Sequence, residues 1–184
     1  MELLTPRLIL REFTEMDFTA LRELDSRTEM HTFERELPAV EETRQSLETY
    51  LNEAMEVPRT TYRLAITIKP QHTVRGVFKL ARQWEAIREW EVGWAIHPDD
   101  WGMGYATEAA RYVVDWGFRE LNIHRIVAFC HASNSASVRV MQKLGMHQDG
   151  VLRETRWLHG EWWDEYVYAI LDKDWTGTKD LTGS

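Results

Sequence analysis

The sequence predicts an α+β fold with a mixed, mostly antiparallel central sheet flanked by helices. Three observations carry this reading. Residues 62–96 hold three apolar or alternating runs in succession, with no helical pattern between them. Helical periodicity sits in separate blocks, at residues 15–27, 41–55 and 104–121. Two more strand-like runs close the chain, at residues 151–158 and 163–171. A doubly wound sheet would instead alternate one strand with one helix throughout.

Each element has its own warrant. Residues 7–12 read as a first strand. In residues 15–27, Phe18, Leu21 and Leu24 share one helical face. Residues 30–39 carry no period and read as a loop. Residues 41–55 form a second helix through Leu47, Tyr50, Leu51 and Met55. Strands follow at residues 62–68, 74–82 and 89–96. In the last of these, alternation sets Trp90, Val92, Trp94 and Ile96 on the face opposite Glu91. Residues 104–121 form a helix with Ala106, Ala110, Val113, Gly117 and Leu121 in one stripe. Residues 123–131 read as a buried strand. Residues 133–144 read as a short helix, capped by Ser133 and stopped by Gly145. The two last runs pair as a hairpin across His159-Gly160. The whole reads as one domain over residues 1–175, with a frayed tail over residues 176–184.

Composition narrows the function. The net charge of −8 argues against nucleic-acid binding. It suits cationic partners, or it simply keeps the protein soluble. No apolar run is long enough to cross a bilayer, and the N-terminus lacks the zones of a signal peptide, so no membrane role is expected. The single cysteine, Cys130, precludes an internal disulfide and suits a cytoplasmic protein. The histidines are scattered without ligand spacing, so no metal is expected. Monomer and homodimer both remain open. Of nine tryptophans, Trp90, Trp94, Trp162 and Trp163 are candidates to line a cleft.

The junction from Ala95 to Glu108 holds the most information. An apolar strand ends at Pro98, a turn carries Gly102 and Gly104, and an amphipathic helix begins at once. Such a junction points several N–H groups into one space at the positive end of a helix dipole, which suits a phosphate or diphosphate. Two known phosphate motifs do not fit. No Lys-Ser or Lys-Thr follows the glycines, and the third glycine of a dinucleotide fingerprint would fall at Thr107.

Residues 101–109, Trp-Gly-Met-Gly-Tyr-Ala-Thr-Glu-Ala, resemble the acetyl-CoA pyrophosphate loop of the GNAT superfamily of N-acetyltransferases. Residues 91–96 are similar to the strand before that loop. Asn134-Ser135-Ala136-Ser137 is similar to the family's Asn-x-x-Ser, and Lys143-Leu144-Gly145-Met146 to the end of its last conserved helix. The opening Leu4-Thr5-Pro6-Arg7-Leu8-Ile9-Leu10-Arg11 resembles the branch that acetylates N-terminal alanine or serine of ribosomal proteins. The resemblance covers residues 4–172. It implies acetyl-CoA as cosubstrate, lying where the strand ending at Ile96 splays from the strand starting near Ile123. It implies cosubstrate contacts from Ile96, His97, Gly102, Met103, Gly104, Tyr105, Ala106, Asn134 and Ser137. Residues 30–39 would cover the acceptor.

Amine acetylation needs a neutral amine, a polarised thioester carbonyl and a proton for the leaving sulfur. Glu91 is the leading base, although Arg88, Glu89 and Glu91 could instead form a solvated strand face. Backbone N–H groups near residues 95–97 could bond the thioester oxygen. The His97 side chain reads as a strand-end surface group. Asn134 could bond the pantetheine arm and Ser137 could deliver a proton, although both also suit capping. Many relatives carry a tyrosine acid where this chain has Met141, and Gln or Arg where it has Asp99. Asp149 could bind the acceptor amine or cap a turn before Gly150, and Thr107 and Glu108 read as helix residues. The expected substrate is a primary amine, first a protein N-terminal α-amine. The alternatives are a small-molecule amine such as a polyamine or aminoglycoside, and a non-catalytic acyl-CoA sensor.

Overall fold

The structure, a computed structural model, describes residues 1–33, 37–158 and 160–177. Eight strands form one sheet in the order β1-β2-β3-β4-β5-β6-β8-β7. They are β1 (Glu2–Leu4), β2 (Leu8–Glu12), β3 (Thr61–Ile68), β4 (Val74–Trp84), β5 (Glu89–Ile96), β6 (Arg125–His131), β7 (His147–Leu158) and β8 (Glu161–Leu171). Among the described residues every neighbouring pair is antiparallel except β5 and β6, which run parallel. The helices are α1 (Phe18–Asp25), α2 (Val40–Met55), α3 (Tyr105–Glu120) and α4 (Ser135–Lys143). This is the mixed, mostly antiparallel α+β sheet that the pattern of elements predicts.

The sheet carries an apolar layer on each face. On one face Leu8, Leu10, Leu64, Ile66, Phe78, Leu80, Val92 and Ile126 pack against Ala109, Ala110 and Val113 of α3 and Met141 of α4. On the other, Phe13, Leu21, Leu47, Ala65 and Val74 form a smaller layer beneath α1 and α2. Each large aliphatic or aromatic side chain buried here stabilises the fold by about 1.5–3 kcal/mol. The split follows from alternation: along β3, Leu64 and Ile66 face one layer while Ala65 faces the other. No helix among the described residues is long and apolar enough to cross a membrane.

Four local readings are corrected. Strand β1 is three residues long, too short to show a period, and is recruited by pairing with β2. The first helix opens as a 3-10 turn over Glu15–Asp17, because the Asp17 carboxylate accepts from the Thr14 N–H at 2.8 Å and from the Arg11 guanidinium at 2.8 Å. The cap of α4 is Asn134, not Ser133: its Oδ1 accepts from the Ser137 N–H at 3.0 Å. Asp149 does not cap a turn, since β7 already starts at His147, and it forms an ion pair with Arg125 at 2.9 Å. Residues 28–31 form a 3-10 turn that runs into the start of the expected loop. Residues 34–36 of that loop, His159 of the hairpin turn and residues 178–184 of the expected tail lie outside the described residues.

Candidate active site

Strands β5 and β6 pair only through residues 89–91 and 125–127. Beyond Glu91 the two strands continue without pairing, β5 to Ile96 and β6 to His131. A gap therefore opens in the middle of the sheet. Its lining follows from alternation. The His97 N–H donates to the Arg75 carbonyl at 2.8 Å, toward β4. The N–H groups of Trp94 and Ile96 must then point the opposite way, into the gap. Two backbone donors lacking a strand partner call for another acceptor. The Ile96 carbonyl is taken by the Trp101 indole at 2.6 Å.

His97 corrects the sequence reading twice. Its N–H belongs to the sheet, so it cannot serve a ligand in the gap. Its ring is not at the surface but 1% exposed. Nδ1 accepts from the Arg75 guanidinium at 3.0 Å and from the Asp99 N–H at 3.2 Å, which leaves the ring proton on Nε2. Glu23 Oε1 lies 3.3 Å from Nε2, yet the alignment makes no hydrogen bond. The ring thus fixes the start of the loop after β5.

That loop turns through Pro98–Asp100 and then through Gly102 and Gly104, with φ +77° and +80°. The left-handed conformation would cost an L-residue about 1–2 kcal/mol, so glycine is favoured at both positions. Gly104 is the N-cap of α3. Among the described residues no acceptor takes the N–H groups of residues 102–107; the first bond of the helix runs from the Glu108 N–H to the Gly104 carbonyl. Nearby carboxylates are neutralised by arginines: Asp99 by Arg27 at 3.2 Å, Asp100 by Arg75 at 2.6 Å, and Glu108 by Arg7 at 2.6 Å. The donor set, at the positive end of a sixteen-residue helix, fits a diphosphate. Met103 is exposed, while Tyr105 and Ala106 are half-buried against the core.

On the other side of the gap, α4 starts at Ser135. The Asn134 carbonyl oxygen is committed to the cap, which leaves its amide N–H groups as donors. Ser137 is half-buried on the first turn of α4. Met141 is buried in the core.

Glu91 stands where the strands part. It shares a face with Gly93 and Ala95, opposite the buried Trp90 and Val92. Its Oε1 accepts from Lys79 Nζ at 3.0 Å, and its Oε2 accepts from the Gln83 amide. Both partners flank Ala81 on β4, two residues to either side of it, and Ala81 pairs directly with Glu91, so they are the diagonal neighbours of Glu91. On this face a cavity of about 320 Å³ lies between β3–β5 and the helices α1 and α2. Its walls include Asp25, His31, Tyr50, Arg63, Lys79 and Trp94. Arg63 grips Glu53 with both contacts at 3.1 Å, and the Asp25 carboxylate accepts from the Thr43 hydroxyl at 2.7 Å.

His131 closes the same face. Parallel register aligns Glu91 with Val127, so Val127, Phe129 and His131 share the Glu91 side. The His131 ring lies 5.0 Å from the Phe33 ring and 4.6 Å from the Trp163 ring. Burial, helped by the Arg156 charge, lowers its pKa, so it is neutral at pH 7. Nδ1 accepts from the Ser133 N–H at 3.1 Å, so Nε2 is the donor. Sequence reading missed Asp25, Arg63, Lys79, His131 and Arg7, because distant elements bring them together. Of the tryptophans, Trp94 borders the cavity but packs its ring against Phe78 on the other face of the sheet, and Trp163 packs on His131. Trp90 belongs to the core, and Trp162 is exposed beside Trp157.

No group of three or more His, Cys, Asp or Glu among the described residues is placed to hold a metal ion. Cys130 is buried, and burial together with Glu165 pushes its thiol up to about 11.

Comparison with known proteins agrees with this geometry. Residues 7–147 match the family described as "Acetyltransferase (GNAT) domain". The chain is 31% identical over 175 residues to the uncharacterized N-acetyltransferase YnaD of Bacillus subtilis (strain 168), covering 95% of this chain and 99% of that one. Among solved structures, an acetyltransferase (GNAT family) from Bacillus anthracis superposes with a TM-score of 0.81 at 30% identity, covering 94% of this chain and 99% of that one. Two more distant structures share the fold. One is a ribosomal-protein-S5-alanine acetyltransferase from Vibrio fischeri, with a TM-score of 0.81 at 19% identity, covering 96% of this chain and 99% of that one. The other is a spermidine N-acetyltransferase from Vibrio cholerae in complex with CoA and spermine, with a TM-score of 0.77 at 20% identity, covering 91% of this chain and 96% of that one.

Proposed function

The chain belongs to the GNAT acetyltransferase domain family, and from that premise we propose that it acetylates the α-amine of a protein or peptide N-terminus, with acetyl-CoA as donor. Acetyl-CoA supplies an activated thioester carbonyl; the chain supplies binding, orientation and proton transfer. The N–H groups of Gly102, Met103, Gly104, Tyr105 and Ala106 hold the diphosphate. The N–H groups of Trp94 and Ile96 face the gap, where they can bond the carbonyl oxygen as charge develops on it. The Asn134 amide holds the pantetheine arm, and Ser137 Oγ passes a proton to the leaving sulfur as it takes one from water. Glu91 takes the proton of the amine, directly or through one water. Two of the roughly four lone-pair positions of its carboxylate are occupied by Lys79 and Gln83, and the others are available.

The observation that favours an N-terminal amine is the pairing of Glu91 with Lys79 and Gln83, which leaves only part of its carboxylate for proton transfer. The charge of the cavity does not separate the acceptors, because Arg63 is paired with Glu53 and Lys79 with Glu91. An α-amine asks less of such a base, because it loses its proton easily. Its ordinary pKa is about 2.5 units below that of a lysine amine, roughly 3.4 kcal/mol less work for the base. The neutral Nε2–H of His131 adds a donor for a backbone carbonyl of the acceptor. The setting is cytoplasmic in this reading, where a lone buried thiol stays reduced.

The test is acetylation kinetics on a peptide with a free α-amine and an internal lysine, against spermidine. The reading expects kcat/KM for the peptide to be at least about tenfold higher, with the acetyl group on the α-nitrogen. Preference for spermidine would overturn it in favour of a small-molecule enzyme. Tight CoA binding without turnover of any amine would overturn it in favour of a sensor.

A further inference from the structure

The N-terminal Thr5-Pro6-Arg7 segment has no part in the reaction as described, yet it is bound tightly to the loop. Glu108, in the first turn of α3 and 9% exposed, collects three donors from it. The Thr5 hydroxyl donates to Oε1 at 2.6 Å, the Arg7 N–H to Oε1 at 2.9 Å, and Arg7 Nε to Oε2 at 2.6 Å. Arg7 Nη1 then donates to the Met103 carbonyl at 2.9 Å, and the guanidinium lies 4.7 Å from the centre of the Tyr105 ring. Arg7 Nη2 stands 3.5 Å from the point that a Cβ on Gly104 would occupy. One side chain therefore touches or flanks Met103, Gly104, Tyr105 and Glu108.

Glu108 poses an electrostatic problem where it stands. A buried carboxylate in the first turn of α3 offsets the positive helix end that an anion needs. It would also repel a diphosphate held by residues 102–106. Arg7 cancels that charge and, through Nη1, holds the Met103 carbonyl away from the N–H groups of the loop. We propose that Arg7 is the positioning residue of the diphosphate cradle, keeping it electrically open by neutralising Glu108 and fixing the Met103 carbonyl. The inference rests on the reading of residues 102–106 as the acetyl-CoA diphosphate site. It adds that binding strength at this loop is set by a side chain from β1–β2 that lies outside the glycine motif.

The test compares CoA with pantetheine, which lacks the diphosphate, by calorimetric titration of the full chain. Wild type should bind CoA much more tightly than pantetheine. Arg7→Gln should weaken CoA about tenfold while changing pantetheine less than about twofold. Arg7→Lys should keep most of the CoA affinity, because it retains the charge. Arg7→Gln combined with Glu108→Gln should recover at least half of the loss on a logarithmic scale, a coupling that distant sites would not show. The inference is overturned if Arg7→Gln binds CoA as wild type does. It is also overturned if CoA and pantetheine weaken equally, or if the double variant is no better than the single. Those last outcomes would mark Arg7 as a general support of the fold, and thermal melts of the same proteins would show it. Failure of wild type to bind CoA at all would instead remove the acetyl-CoA reading beneath it.

Discussion

Replacing Gly102 by alanine separates the strain of the loop from its use. Gly102 has φ +77°, and a Cβ built there meets nothing within 4 Å. The free protein therefore suffers only backbone strain, about 1–2 kcal/mol. Alanine returns about 0.4–1 kcal/mol by restricting the unfolded chain. The net loss is about 1 kcal/mol, or roughly 2–4 °C in Tm for a chain of this size. Gly145 is a matched control, with φ +77° and an ordinary 3.9 Å contact to Ile170 Cδ1. It follows α4, about 16 Å along the helix direction from Asn134. Gly145→Ala should lose similar stability. The two should differ in ligand binding, because the proposed function makes the open space beside Gly102 the cradle for the diphosphate. Gly102→Ala should weaken CoA about tenfold or more, which is 1.4 kcal/mol, while Gly145→Ala leaves it unchanged. Differential scanning fluorimetry gives the first quantity and calorimetric titration the second. Equal CoA affinity in both variants would refute the assignment of this loop to the diphosphate.

Three further outcomes follow from the same structure. Glu91→Gln should lower kcat about 10–100-fold, with little change in KM for acetyl-CoA, and the loss should be greater for a lysine amine than for an α-amine; equal losses would argue that Glu91 only pairs with Lys79. Burial alone would raise the Asp17 carboxyl, but the Arg11 guanidinium and the Thr14 N–H outweigh it and hold it below the ordinary range. The stability it contributes is then complete above the unfolded value of about 3.9 and is lost as pH falls through the folded value, so Asp17→Asn should flatten the acid limb of stability in urea melts from pH 7 to 3. Cys130, buried and with its thiol raised to about 11, should react with an aromatic disulfide reagent at pH 7.5 only as fast as the protein unfolds.

The fold was legible where one element carried its own pattern. Strand β5 matched its predicted span because Trp90, Val92 and Ile96 alternate with Glu91 and Gly93. The α2 and α3 helices were legible from their apolar stripes and the turn glycines. The strand β1 was not, because its three residues gain stability only from pairing with β2. The cap of α4 was ambiguous, since Ser133 and Asn134 both carry a capping oxygen, and only the path of the chain brings Asn134 Oδ1 to the Ser137 N–H. In the site, Gly102 and Gly104 were readable because glycine there answers a local backbone need. His97 was misread because its burial depends on Glu23, Arg75 and Asp99, which come from three separate segments. The cavity walls Asp25, Arg63 and Lys79 were invisible for the same reason: an acceptor site made by long-range packing leaves no local period. Arg7 was legible as part of a motif but not as a neighbour of the loop, since its partner Glu108 lies 101 residues away.

The most direct test of the account is a calorimetric titration of the purified protein with acetyl-CoA. The N–H groups of residues 102–107 and the gap between β5 and β6 predict one site of micromolar affinity, about −8 kcal/mol. No heat and no saturation at millimolar acetyl-CoA would contradict it, and would mean that the fold of an acetyltransferase serves some other chemistry in this chain.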